Sequence, residues 1–94
     1  MKTATIFYLE TCPYCIKGRK ALAELQAENP DYAAIDVTWI EESRNAALAD
    51  TYDYYSVPSI FAGKDKLFEC SALMGYDEIK EGFRQALDQV VRGN

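Results

Sequence analysis

The stretch FYLETCPYCIKGRK, residues 7–20, decides how the fold of this sequence is interpreted. Two cysteines, Cys12 and Cys15, stand three positions apart in it, and a basic cluster follows them. Just before them, the β-branched and aromatic residues 3–9 predict a buried strand. Just after Cys12, Pro13 is typical of the first position of a helix. The cysteine pair is therefore expected at a strand-to-helix junction.

This placement favours reversible redox chemistry. Side chains three apart on a helix lie about 5–6 Å from each other, so a modest rotation brings two sulfurs into disulfide range. So short a loop constrains the unfolded chain little and is a poor structural staple. The free N–H groups at the helix start stabilise a thiolate. We expect Cys12 to face solvent as the nucleophile and Cys15 to resolve the mixed disulfide, with Pro13 fixing the turn and Lys17 adding positive potential.

Other uses of the cysteine pair remain open at this point. A structural disulfide is one, although the chain reads as a protein of a reducing compartment. A zinc or iron–sulfur site with Cys70 as a third thiolate is another, although zinc usually takes four ligands. A phosphatase loop is a third, but it needs an arginine where this chain has Gly18. There are no histidines, which removes Cys–His pairs and histidine metal ligands.

The composition predicts one soluble domain over residues 1–94. With 49% apolar residues the chain can build an ordinary core without covalent staples. No apolar run approaches the length of a membrane span, and the first ten residues do not resemble a signal peptide. The net charge of −5 argues against nucleic acid as a partner. We expect a cytoplasmic protein.

The rest of the chain alternates strands and helices. A helix follows Pro13 and ends at Asn29-Pro30, and the chain then predicts a strand over 32–37 and a helix over about 42–52. A hairpin follows, with strands 59–62 and 66–71 joined by a turn at 63–65. The last helix, from residue 76 to Gly93, carries an apolar stripe of Ile79, Phe83, Leu87, Val90 and Val91. The order is β-α-β-α-β-β-α, with the first three strands expected to be parallel.

A second candidate site is Val57-Pro58, at the start of the third strand. A cis bond there would leave the Val57 N–H and C=O unpaired at the sheet end, facing the cysteines and available to an extended substrate. The alternative is a proline that only begins a strand, but the two cysteines upstream at a strand-to-helix junction favour the substrate-binding interpretation. The preceding tyrosine-rich segment TYDYYS, residues 51–56, either forms the bottom of a groove that binds a partner or packs against the sheet. Packing against the sheet is favoured.

Together, TCPYC (residues 11–15) and SVPSIFAGKDKLFEC (residues 56–70) resemble the glutaredoxins of the thioredoxin-fold superfamily, over essentially the whole chain. The resemblance implies an α/β, thioredoxin-like fold with a four-stranded mixed sheet flanked by three helices. It implies a cis-Pro58, Cys12 as nucleophile and Cys15 as resolving thiol. Tyr14 would flank the site and bind substrate, and Val57 would pair with the substrate backbone. Cys70 takes the place of an extra, non-catalytic cysteine.

The activity implied is that of a thiol–disulfide oxidoreductase that reduces protein or glutathione mixed disulfides in cell redox homeostasis. We expect the protein to be a monomer. No cofactor or metal would be bound, and glutathione is the candidate co-substrate. The family usually has a basic residue where this chain has Leu9, and a Gly-Gly pair where it has Phe68-Glu69. Three alternatives follow: an electron donor recharged by a thioredoxin-reductase-type flavoprotein, an iron–sulfur or metal carrier, and a binding module that uses the Val57-Pro58 edge without turnover.

Overall fold

The computed structural model describes residues 2–93 and contains a four-stranded mixed sheet with helices packed around it, as the sequence predicts. In chain order the elements are β1 (Thr3–Tyr8), α1 (Pro13–Glu28), α2 (Pro30–Ala33), β2 (Asp36–Glu41), a 3-10 turn (Glu42–Arg44), α3 (Ala46–Ala49), β3 (Ser59–Ala62), β4 (Asp65–Glu69) and α4 (Tyr76–Arg92). None of the helices described within residues 2–93 is long and apolar enough to cross a membrane.

The strand order across the sheet is β2-β1-β3-β4. β1 and β2 are parallel, whereas β3 is antiparallel to β1 and β4 is antiparallel to β3. The expectation that the third strand is parallel to the first is therefore wrong. The connection between β2 and β3 consists of the 3-10 turn, α3 and a loop over residues 50–58. The first residue of β3, Ser59, pairs with Phe7 near the end of β1, and Tyr8 at the end of β1 pairs with Glu41 at the end of β2. β3 therefore starts at the sheet end where β1 and β2 finish, beside the cysteines.

The predicted strand over 32–37 lies too early, because Pro30 begins a helix as well as ending one. Pro30 is the first residue of α2, and the side chain of Asn29 caps this helix by accepting the N–H of Asp31 at 2.9 Å. Asparagine followed by proline matches the N-cap and first positions of a helix. The strand therefore starts only at Asp36.

The predicted helix over 42–52 is broken at Asn45. This residue leaves the helical region, with φ −140° and ψ 43°, and its side chain donates to the Glu41 carbonyl at 2.9 Å. Asparagine competes in this way with the helical hydrogen bonds of the backbone. Instead of three full helices, residues 2–93 form two long helices, α1 and α4, and the single turns α2 and α3.

The main core lies between the sheet and the two long helices. It joins Ala4 and Ile6 of β1 with Leu22 and Leu25 of α1 and Ile60 of β3. The predicted stripe of α4 is confirmed, since its buried residues recur every three or four positions. These residues are Ile79, Phe83, Ala86, Leu87 and Val90, and Val91 is partly buried against them.

On the opposite face of the sheet, two tyrosines cover two buried phenylalanines. Phe7 and Phe61 are fully buried there, with the rings of Tyr52 and Tyr54 4.7 and 5.0 Å from that of Phe7. The predicted packing of the segment 51–56 is thus confirmed for these two rings. Tyr55 is 93% exposed and packs against neither phenylalanine. The main core and these two tyrosine rings cover the middle of the sheet, and the β1–α1 junction lies at one end of it.

Candidate active site

The cysteine pair lies at the β1–α1 junction. Cys12 is the N-cap of α1, and its N–H donates to the Leu9 carbonyl at 3.1 Å across a tight turn. Pro13 is the first helical residue, as predicted. Cys12 is half-buried, whereas Cys15 in the first turn is 1% exposed. The first N–H groups of a helix have no partner within it, so the sulfur of Cys12 lies at the positive end of α1.

Cys15 is held as a neutral thiol. Burial, together with the neighbouring Cys12, raises the pKa of Cys15 to about 12, although the Leu9 N–H donates to its sulfur at 3.4 Å and lowers the pKa somewhat. Leu9 therefore holds both cysteines, through its N–H to Cys15 and its carbonyl to the Cys12 N–H. The two thiols differ in access to solvent before any substrate is present.

The Val57-Pro58 segment lies beside the cysteine pair, as predicted. The Val57-Pro58 peptide bond is cis, and the Val57 carbonyl oxygen lies 4.0 Å from the sulfur of Cys12 although the two residues are 45 positions apart. Within residues 2–93 the Val57 N–H donates no hydrogen bond. Val57 consequently presents one donor and one acceptor beside the half-buried Cys12, an arrangement that suits an extended peptide.

Tyr14 connects the cysteine turn to the loop before α4. Its hydroxyl accepts the N–H of Leu73 at 3.0 Å, and Leu73 has φ 73° with 91% of its surface exposed. The ammonium of Lys17 lies 5.7 Å from the centre of the Tyr14 ring. Arg19, by contrast, lies over the rings of Tyr8 and Trp39, so the basic cluster does not act as one group at the cysteines.

Cys70 lies buried behind the Val57-Pro58 segment. It is 2% exposed, and its N–H donates to the Pro58 carbonyl at 3.0 Å. Burial raises the pKa of the Cys70 thiol, and the nearby Cys12 adds to the effect while Lys17 opposes it. It follows directly on the last residue of β4 rather than lying within the strand.

Two carboxylates that the sequence analysis did not single out hold the two segments of the site, one before Cys12 and the other before Val57. Glu41, 8% exposed at the end of β2, accepts the Ser43 hydroxyl at 2.6 Å and the N–H groups of Ser43 and Glu10 at 2.7 and 3.0 Å. These hydrogen bonds keep the pKa of Glu41 below its usual range. The Glu10 side chain pairs with Arg44 at 2.6 Å, with both groups well exposed.

Glu69 holds the segment before Val57 in a similar way. Its carboxylate accepts the N–H groups of Tyr55 and Ser56 at 2.6 and 2.7 Å and the ammonium of Lys66 at 2.8 Å. Burial alone would raise the pKa of Glu69, but the bonds from Lys66 and the two amides outweigh it and lower the pKa. Acidic residues at strand ends are common, so the sequence does not single out Glu41 and Glu69. Only their hydrogen bonds to the segments before Cys12 and Val57 identify them.

The difference between the thiols predicts an order of alkylation. At pH 7, iodoacetamide is expected to modify Cys12 at least about 100 times faster than Cys15 or Cys70, because thiolates react and a pKa of about 12 leaves few thiolates at Cys15. Peptide mapping by mass spectrometry measures the three rates.

Two controls accompany this measurement. In concentrated urea the three cysteines should react at comparable rates, and the folded Cys12→Ser variant should stay largely unmodified, since burial is the largest cause of the raised pKa of Cys15. Labelling of folded Cys15 as fast as Cys12 would contradict the assignment of the exposed thiol.

A family model and individual relatives both indicate one protein family for this chain. Residues 4–67, which include both segments of the site, match the family model described as Glutaredoxin. The chain is 32% identical to "Glutaredoxin 1" of Rickettsia felis over 94 residues, covering 99% of this chain and 84% of that protein. It is 29% identical to "Glutaredoxin-1" of Oryctolagus cuniculus over 80 residues, covering 78% of this chain and 71% of that one.

Solved structures support the fold. A mutant thioredoxin from Halobacterium salinarum superposes with a TM-score of 0.55 at 25% identity, covering 84% of this chain and 68% of that chain. A structure titled "Structure of a malarial protein" superposes with a TM-score of 0.59 at 17% identity, covering 90% and 96%. The predicted α/β, thioredoxin-like fold is confirmed.

Proposed function

Because the chain belongs to the glutaredoxin family of thiol–disulfide oxidoreductases, we propose that Cys12 is its nucleophile, Cys15 its resolving thiol and Val57 the residue that receives the substrate backbone. One observation carries the proposal: the sulfur of the half-buried Cys12 lies 4.0 Å from the Val57 carbonyl oxygen while Cys15 is buried in the adjoining turn. Nucleophile, resolving thiol and a place for the substrate chain lie within one small region.

The reaction transfers two electrons from the dithiol to the substrate. The Cys12 thiolate attacks one sulfur of the substrate disulfide, the substrate S–S bond breaks, and the departing thiolate takes up a proton. The Cys15 thiolate then attacks the sulfur of Cys12 in the mixed disulfide. This second step forms the Cys12–Cys15 disulfide and releases the remaining substrate thiolate, which accepts the proton that Cys15 gives up.

The electrostatics of Cys15 order these steps. In the reduced protein the neighbouring Cys12 contributes to the raised pKa of Cys15. Once Cys12 is in a mixed disulfide it carries no charge, so this contribution disappears and the pKa of Cys15 falls. The resolving thiol thus becomes easier to deprotonate only after the first exchange has occurred.

The surface around Cys12 suits a protein disulfide. Val57 offers its N–H and C=O to an extended chain, and Tyr14 flanks the site. Three apolar side chains stand exposed on the segments that frame it. They are Ile16 at 58%, Leu73 at 91% and Tyr55 at 93% exposed. Pro13 lacks an N–H and keeps the turn rigid, and Lys17 adds positive potential.

Glutathione is the proposed reductant, in keeping with the family. Two glutathione molecules return the Cys12–Cys15 disulfide to the dithiol, and they leave as glutathione disulfide with the two electrons supplied. No resident cofactor is needed, and the protein is proposed to act as a monomer.

A flavoprotein reductase of the thioredoxin-reductase type is the second candidate for this step. Two observations favour it: Leu9, at the position where the family usually carries a basic residue, has no charge, and the cation of Arg44 is paired with Glu10. Under this alternative the protein donates electrons independently of glutathione.

Intact mass spectrometry distinguishes the two reductants. Oxidised wild-type protein incubated with reduced glutathione is expected to regain two hydrogens, and the Cys15→Ser variant is expected to hold one glutathione on Cys12. No reaction with glutathione, together with rapid reduction by a thioredoxin-reductase system, would contradict the first candidate and support the second. The visible absorbance of the freshly purified protein tests the hypothesis of an iron–sulfur carrier, because a bound cluster would absorb visible light.

A further inference from the structure

Glu69 joins the end of the edge strand β4 to the loop that carries Val57 and Pro58. One carboxylate oxygen accepts two successive amides, those of Tyr55 and Ser56 at 2.6 and 2.7 Å. The other oxygen accepts the ammonium of Lys66 at 2.8 Å. Hydrogen bonds from amides to a carboxylate are charge-assisted and about twice as strong as neutral ones.

Just before these two amides, Tyr54 anchors the loop through its ring against Phe7 and its hydroxyl, which donates to Glu42 at 2.5 Å. The next two residues have no such anchor. Tyr55 is 93% exposed and Ser56 is also exposed, so neither side chain is anchored by packing. Farther along, the Ser56 carbonyl accepts the buried Ser59 hydroxyl at 2.5 Å, and the Pro58 carbonyl accepts the Cys70 N–H at 3.0 Å. The consecutive residues Glu69 and Cys70 therefore hold the loop on both sides of Val57.

We infer that Glu69 is a positioning residue, which fixes the Val57 N–H and C=O beside Cys12 by binding the amides of Tyr55 and Ser56. Glu69 does not touch the reacting sulfur itself; it acts through the loop. This inference rests on the proposed role of Val57 in receiving the substrate backbone. It predicts that Glu69 matters for extended peptide disulfides and matters little for small disulfides that have no backbone to pair.

The test uses single-turnover reduction by protein whose dithiol has been reduced chemically, so that no physiological reductant enters the result. One substrate is an extended peptide with a disulfide, and the other is 2-hydroxyethyl disulfide. With Glu69→Ala, the half-saturating peptide concentration should rise about tenfold while the maximal rate stays within about twofold. The rate with 2-hydroxyethyl disulfide should also stay within about twofold.

Two variants serve as controls. Lys66→Ala removes the ion pair but leaves both amide bonds, so its effect on peptide reduction should stay within about twofold. Glu69→Gln keeps one oxygen that can accept the amides, so it should recover part of the loss. Hydrogen exchange of Tyr55 and Ser56 should accelerate at least about tenfold in Glu69→Ala, while amides of β1 and β3 keep their protection.

Several results would overturn the inference. One is an unchanged half-saturating peptide concentration in Glu69→Ala. Another is an equal loss on both substrates, since that would place Glu69 in the support of Cys12 rather than of Val57. Unchanged exchange at Tyr55 and Ser56 is a third. A wild-type protein that reduces neither disulfide refutes the proposed function, and the inference then falls with it.

Discussion

Cys12→Ser is expected to abolish disulfide reduction, lowering the single-turnover rate at least about a thousandfold, toward that of the uncatalysed reaction. The hydroxyl of serine is not ionised at neutral pH and cannot attack a disulfide sulfur. Cys15 cannot substitute for Cys12, because it is 1% exposed and burial raises its pKa to about 12. The measurement is the release of thiol from a protein or small disulfide by chemically reduced protein.

Cys15→Ser is the matched control for this loss. It keeps the exposed nucleophile, so the first exchange should proceed and the protein should stop at a mixed disulfide on Cys12, visible as a stable adduct in the intact mass. Small mixed disulfides should still turn over with an external thiol. Equal loss of the first exchange in both variants would contradict the roles assigned to the two cysteines.

The regular elements were predictable because their patterns are local. The β-branched run of β1, the proline that opens α1 and the apolar stripe of α4 each lie within one short window of sequence. The direction of β3 was wrong because its pairing with β1 joins segments far apart in the chain. The two errors in element boundaries each occurred at a single residue. Pro30 ends α1 and begins α2, and Asn45 interrupts a stretch that is otherwise rich in helix formers.

The candidate site was predictable to the same extent. Cys12-Pro13 and Val57-Pro58 are short motifs, and their meeting follows once both are placed at one end of the sheet. Glu41 and Glu69 bind amides 31 and about 14 positions away. Their roles depend on where β2 and β4 end, and the predicted strand boundaries were not accurate enough to show it.

The largest expected loss of stability comes from Phe83→Ala. The ring is 0% exposed, packs edge-on to Phe68 at 5.6 Å, and lies where α4 crosses α1. A Cβ added to Gly18 of α1 would come within 2.8 Å of this ring and 3.3 Å of Pro58. Truncation to alanine should therefore open a cavity between the helices and cost about 3–5 kcal/mol of unfolding free energy.

Urea unfolding measures this loss as a lower midpoint with an unchanged slope. Tyr55→Ala is the matched aromatic control, and because Tyr55 is 93% exposed its unfolding free energy should change by less than about 0.5 kcal/mol. A loss below about 1 kcal/mol for Phe83→Ala would show that the helices close over the cavity.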